Sequence, residues 1–120
     1  MKETFCRIRA VHQAIAEFER TLSERHGVSL NEAMLLCSLA AKSPLSAGSI
    51  AQQLGLSHPN ASKLIRSAED KQLIARTLNQ TDRRGMLFAL TPQGRKRLEQ
   101  INAQQLPIPD ALCKPNGEKM

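Results

Sequence analysis

The sequence predicts a mainly α domain with one small β-hairpin. Apolar residues recur at spacings of three and four through five segments, and four of these open on a Ser or Thr suited to capping a helix. Between Leu73 and Leu90 that periodicity gives way to two-fold alternation around a polar turn. Phe5, Phe18 and Phe88 are the full set of aromatics, so the core must be built from Leu, Ile, Ala and Met. A chain of 120 residues suits one domain with a modest core.

Residues 2–26 read as one long helix, with Phe5, Ile8, Val11, Ile15, Phe18 and Leu22 on a single face and Gly27 fit for a left-handed C-cap. At 1.5 Å per residue such a helix is roughly 37 Å long, more than a small domain needs to cover its own core. The overhanging apolar stripe predicts a second copy of the chain as partner. "SLNE" is a capping box, Ser29 with Glu32, opening a helix to about Ala41 with Ala33, Leu36, Cys37 and Ala40 inward. "KSPLS" ends it. Ser46 then caps the short helix "AGSIAQQL", and Gly55 allows a tight turn. Ser57 caps the next helix, with Pro59 in its first turn, and the helix runs to about Lys71 with Ala61, Leu64, Ile65 and Ala68 inward. "LIARTL" and "MLFAL" read as two strands joined by "NQTDRRG", with Met86, Phe88 and Leu90 on one face. Thr91 caps a last helix over 92–105, leaving 106–120 as a flexible or extended tail with three prolines between Pro107 and Pro115. The expected organisation is thus one domain over 1–105, with a helix-turn-helix at 46–71 and a hairpin at 73–90.

The net charge of +6 is concentrated. Residues 57–97 carry nine Lys or Arg against three acids, whereas residues 1–56 carry +1 and 98–120 carry −1. An excess confined to one segment points to a polyanionic partner. Near-absence of aromatics argues against folds that stack single-stranded bases. The helix after the tight turn exposes His58, Asn60, Ser62, Lys63, Arg66 and Ser67, the residue types that read base edges or hold phosphates in a major groove one helix wide. Ser57 and the helix start would offer amides to a phosphate. The next feature along the chain is the basic hairpin tip. Arg84 is suited to enter the narrow, negative minor groove beside such a helix, Arg83 to meet phosphate, and Asp82 to pair with a cation and shape the loop. Taken singly, these residues also fit a solvated helix face and an exposed ion pair of little energetic value.

The stretch "LSAGSIAQQLGLSHPNASKLIRSAEDKQLIAR…TDRRGMLFALTPQGRKRLE" resembles the core of the MarR family of winged helix-turn-helix regulators, over about residues 27–105. The most specific element is the wing signature, Asp82 and Arg84 followed by Leu90, Thr91 and Gly94. The resemblance implies a homodimer on a roughly palindromic operator, a recognition helix at Ser57–Lys71, Arg84 as the wing arginine and the first helix as a dimerisation helix. Two features depart from the family pattern. Gln72 stands where the family has glycine, so a left-handed conformation is expected on a side chain that disfavours it. The Pro-containing tail stands where the family has a further long helix that completes the dimer.

Other chemistries find little support. Cys6, Cys37 and Cys113 are widely spaced, and with His12, His26 and His58 isolated they make no metal pattern. Cys6, near Arg7 and Arg9, sits where peroxide-sensing members of the resembled family carry a reactive cysteine supported by tyrosines, but this chain has no Tyr. Cys6 therefore reads as a semi-buried thiol and Cys37 as core. His12 falls beside the apolar stripe of the first helix. No catalytic constellation and no cofactor motif is found. No secretory signal or membrane-spanning run is present, which suits a cytoplasmic protein. The expectation is a dimeric, sequence-specific binder of double-stranded DNA that represses transcription. A small-molecule effector would have its place between the dimer helices and the reading head, though no residues mark a pocket there. Two alternatives stay open: a winged-helix interaction module or adaptor that no longer binds DNA, and a thiol redox sensor on the same fold.

Overall fold

The computed structural model describes residues 1–78 and 85–104. Five helices and three strands follow in the order α1 (Lys2–His26), α2 (Leu30–Ala41), β1 (Leu45–Ser46), α3 (Ala47–Leu54), α4 (His58–Asp70), β2 (Ile74–Leu78), β3 (Met86–Leu90) and α5 (Pro92–Ala103). The hairpin tip with Asp82, Arg83 and Arg84, and the tail expected from residue 106, lie outside the described residues.

The caps form where the sequence places them. Ser29 accepts the Glu32 amide while Glu32 accepts the Ser29 amide, completing the capping box. Ser46, Ser57 and Thr91 each accept an amide three residues on. Gly27 and Gly55 take the left-handed conformation at φ 68° and 67°. Gln72 takes it too, at φ 62°. Its amide bonds the Glu69 carbonyl and that of Leu73 bonds the Ala68 carbonyl, the Schellman closure that normally favours glycine. The Thr91 hydroxyl donates to the Gln72 carbonyl at 2.7 Å, which helps hold the turn.

The core joins Leu22 of α1 to Leu35, Leu36 and Leu39 of α2, Ile50 of α3, Leu64 and Ile65 of α4, Phe88 of β3 and Leu98 of α5. On α4, Ala61, Leu64, Ile65 and Ala68 are all buried, as their spacing predicts. On α2 the inward face is set differently from the expectation. Leu35, Leu36 and Leu39 are buried, while Cys37 and Ala40 are exposed. Four consecutive apolar residues, Ala33 to Leu36, left the helical phase ambiguous, and packing against α3 and α5 resolved it. Cys37 is therefore not core, and Cys6 is exposed rather than semi-buried.

The sheet has three strands rather than two. Leu45 and Ser46 pair antiparallel with Phe88 and Leu87, giving the order β1-β3-β2. Two residues are too few to show an alternation. In the hairpin, Ile74 faces Leu90, Arg76 faces Phe88 and Leu78 faces Met86.

The first helix divides into two parts. Leu22 is 1% exposed and Ala14 is buried in the chain's own core, and Phe18 packs against that core. Leu22 thus cannot serve as a dimerisation residue, because its own protomer covers it. The amino-terminal half overhangs: Phe5 is 62% exposed and Ile8 57%, with Val11 also exposed and Ile15 half-buried. Among the described residues no helix is long and apolar enough to cross a membrane.

Candidate nucleic-acid interface

The helix-turn-helix is built from α3, a tight turn and α4. Gly55 ends α3, and the Leu56 amide reaches back to the Ala51 carbonyl at 2.9 Å. One residue later Ser57 caps α4, accepting the Asn60 amide at 3.3 Å. The turn is short, so α4 crosses α3 at once, and both turn their apolar sides to the core. Four buried residues on α4 then dictate which side is outward. His58, Asn60, Ser62, Lys63 and Arg66 are all exposed. Among the described residues, no carboxylate forms an ion pair with Lys63 or Arg66.

Two expectations about this helix change. Ser67 is half-buried and donates to Glu32 Oε2 at 2.6 Å, so it belongs to the inner flank. The helix start offers fewer free amides than its position suggests. Pro59 has none, the Asn60 amide is taken by Ser57 Oγ and the Ala61 amide by the Ser57 carbonyl.

Two acids near α4, Glu32 and Glu69, are paired with cations of the same chain. Glu32, 2% exposed, accepts from the Ser29 amide at 2.7 Å, from Ser67 and from Lys71 Nζ at 2.6 Å. Burial pushes its carboxyl up, but the bonds from Lys71, Ser67 and Ser29, with the Lys71 charge, outweigh that and hold it below the ordinary value. Lys71 also donates to the Gly27 carbonyl at 3.0 Å, so one cluster ties the end of α1 and the start of α2 to the end of α4. Glu69 is bound on both oxygens by Arg76, Nε to Oε2 at 2.7 Å and Nη2 to Oε1 at 2.6 Å, and this bond chiefly holds its carboxyl low. The Arg76 guanidinium also lies 5.8 Å from the centre of the Phe88 ring. With Glu32 and Glu69 engaged, the exposed stretch of Asn60, Ser62, Lys63 and Arg66 carries only cations and neutral hydrogen-bonding groups, and the exposed Asp70 stands at the last position of α4. An open groove of about 440 Å³ runs along its flank, lined by Asn31, Glu32, Asn60, Lys63, Ser67 and Lys71.

None of these ties was legible beforehand. Lys71 lies 39 residues from Glu32, and Arg76 is seven from Glu69 across a change from helix to strand, where no periodicity links them. Among the described residues, no group of His, Cys, Asp and Glu lies close enough to hold a metal ion. His12 is on the surface with Arg7, Ile8, Val11 and Ile15 around a shallow apolar hollow, beside the overhanging stripe.

Comparison with known proteins agrees with this geometry. The model of the MarR family matches residues 26–85. The structure of an S. aureus MepR–DNA complex is similar at 25% identity, over 83% of this chain and 74% of that one, with a TM-score of 0.75. The YusO protein from Bacillus subtilis is similar at 28% identity, over 86% and 73%, with a TM-score of 0.68. The transcriptional regulator BldR from Sulfolobus solfataricus shares the fold, at 24% identity over 85% and 71% and a TM-score of 0.73. No curated protein sequence matches the chain. A capped helix-turn-helix, a hairpin on a three-stranded sheet and a family match across half of the residues lead to one conclusion: this is a winged helix-turn-helix protein, and the chain belongs to the MarR family.

Proposed function

We propose that the protein is a sequence-specific binder of double-stranded DNA that regulates transcription as a homodimeric repressor in the cytoplasm. The observation that carries this reading is the outward face of α4, where Lys63 and Arg66 stand exposed beside Asn60 and Ser62 while Glu32 and Glu69 are paired with Lys71 and Arg76. Lys63 and Arg66 contact phosphates or base edges, Asn60, Ser62 and His58 help to read sequence, and Ser57 sits at the helix end nearest the backbone. Arg84 enters the adjoining minor groove, Arg83 meets phosphate and Asp82 shapes the loop. The likeness to a chain solved as a DNA complex supports this assignment. The exposed Phe5, Ile8, Val11 and Ile15 stripe supplies the seam between protomers. A small-molecule effector finds room in the groove beside α4.

Selection of bound duplexes from a random DNA pool tests the reading. Enrichment of a repeat with half-sites about one helical turn apart is the expected result. Recovery of no preferred sequence, with no binding to any duplex at low salt, would overturn it.

A further inference from the structure

Arg66 and Glu69 stand three positions apart on α4, the spacing at which side chains on a helix meet and pair. Such a pair would be costly for a DNA reader, because Arg66 would spend its charge on its own helix. In the structure it does not form. Both oxygens of Glu69 are taken by Arg76, at 2.6 and 2.7 Å, in the two-pronged geometry that only a guanidinium provides. Arg76 is itself held from below, since it lies opposite Phe88 in the strand register and its guanidinium sits over that ring. Phe88 is buried, so the platform is fixed by the core. The charge of Arg66 already acts on the Glu69 carboxylate, though less than the bonds from Arg76 do. The two cations thus compete for one acid, and the strand residue wins.

We propose that Arg76 is an internal counter-ion that occupies Glu69 and so keeps Arg66 available to the duplex. This makes Arg76 a positioning residue that acts through Arg66 without touching DNA, and it rests on the DNA-binding reading given above. The pair is exposed, with the Arg76 side chain 54% accessible, so its role in holding the fold is small. Its value lies in what it denies to Glu69. The same bond links the end of the reading helix to β2, two residues before the strand gives way to the hairpin loop.

The test is a double-mutant cycle on the full chain. Binding is measured by fluorescence anisotropy on a labelled duplex that the wild-type chain enriches from a random pool. Arg76→Ala frees Glu69 to capture Arg66, so affinity should fall about tenfold, the loss expected for one cationic contact, and the salt slope of the binding constant should fall by about one. Arg66→Ala should cost about the same in the wild-type background and almost nothing in the Arg76→Ala background. Glu69→Gln added to Arg76→Ala should restore both affinity and slope. Circular dichroism confirms that each variant is folded. Additive losses from Arg66→Ala and Arg76→Ala would overturn the proposal and leave only a general charge effect. So would an unchanged affinity in Arg76→Ala, or a loss that Glu69→Gln does not restore. A wild-type chain that binds no duplex would instead overturn the DNA-binding reading, and this proposal with it.

Discussion

Gly94, on α5, lies against the backbone of Leu73 so closely that a Cβ at position 94 would sit 1.9 Å from the Leu73 carbonyl oxygen. The approach is held from both sides. The Thr91 amide bonds that same carbonyl at 3.1 Å, and the Thr91 hydroxyl accepts the Gly94 amide at 2.9 Å while donating to Gln72. The start of β2, the last helix and the end of α4 therefore meet at one point that leaves no room for a methyl group. Gly94→Ala should destabilise the protein by about 3 kcal/mol, since the atoms in the way are backbone and cannot swing aside. Thermal denaturation followed by circular dichroism measures this, and a melting temperature equal to wild type would show that the junction can open.

Gln72 makes the opposite case. It is a non-glycine residue at φ 62°, a conformation that costs an L side chain about 1–2 kcal/mol. Gln72→Gly should raise stability by about 0.5–1 kcal/mol, because relief of that cost exceeds the added freedom of the unfolded chain. The rise should appear in the denaturant midpoint, and a fall would mean that the turn is not strained.

Glu32 links stability to pH. Its folded carboxyl, like that of Glu69, is held below the ordinary value of 4.5, so the folded state prefers the ionised form. As pH falls, the unfolded chain takes up protons first. The stabilisation is therefore complete above 4.5 and is lost as pH drops through the lowered folded values. Glu32→Gln should cost about 2 kcal/mol at neutral pH, less than for a fully buried ion pair because the Lys71 side chain is 40% exposed. Urea midpoints across the acid range should show a flatter pH dependence in the variant. An identical dependence in both proteins would remove Glu32 from the argument.

The apolar stripe on α1 gives a prediction about assembly. Phe5 and Ile8 are the largest side chains left uncovered there, and covering either contributes about 1.5–3 kcal/mol. Phe5→Asp and Ile8→Asp should each yield monomers by light scattering at concentrations where the wild type should give dimers. Their melting curves, extrapolated to high dilution, should match wild type, because neither residue belongs to the protomer's core. A dimer surviving both changes would move the seam elsewhere.

On the reading face, Lys63→Ala should weaken DNA binding about fivefold and lower the salt slope by about one, with no effect on folding, since the side chain is exposed. Arg84→Ala should weaken binding in the same way. Equal affinity for wild type and variant in an anisotropy titration would take either residue out of the interface.

Much of this molecule is local in origin, and the local part is what the sequence by itself determined. Caps at Ser29, Ser46, Ser57 and Thr91, the left-handed closures at Gly27 and Gly55 and the buried face of α4 each depend on residues within a turn or two of one another. Charge segregation is likewise a property of chain order. Tertiary structure alone decided the rest. It paired Leu45 with Phe88, rotated α2 so that Cys37 faces out, and drew Leu22 into the protomer's core while leaving Phe5 and Ile8 bare. It also brought Lys71 to Glu32 and Arg76 to Glu69, which engages two of the acids beside the exposed face of α4. The physical reason is the same in each case. Hydrogen-bond closure within a turn acts over a few residues, whereas the partner of a buried or charged side chain is chosen by how helices and strands from distant parts of the chain pack together.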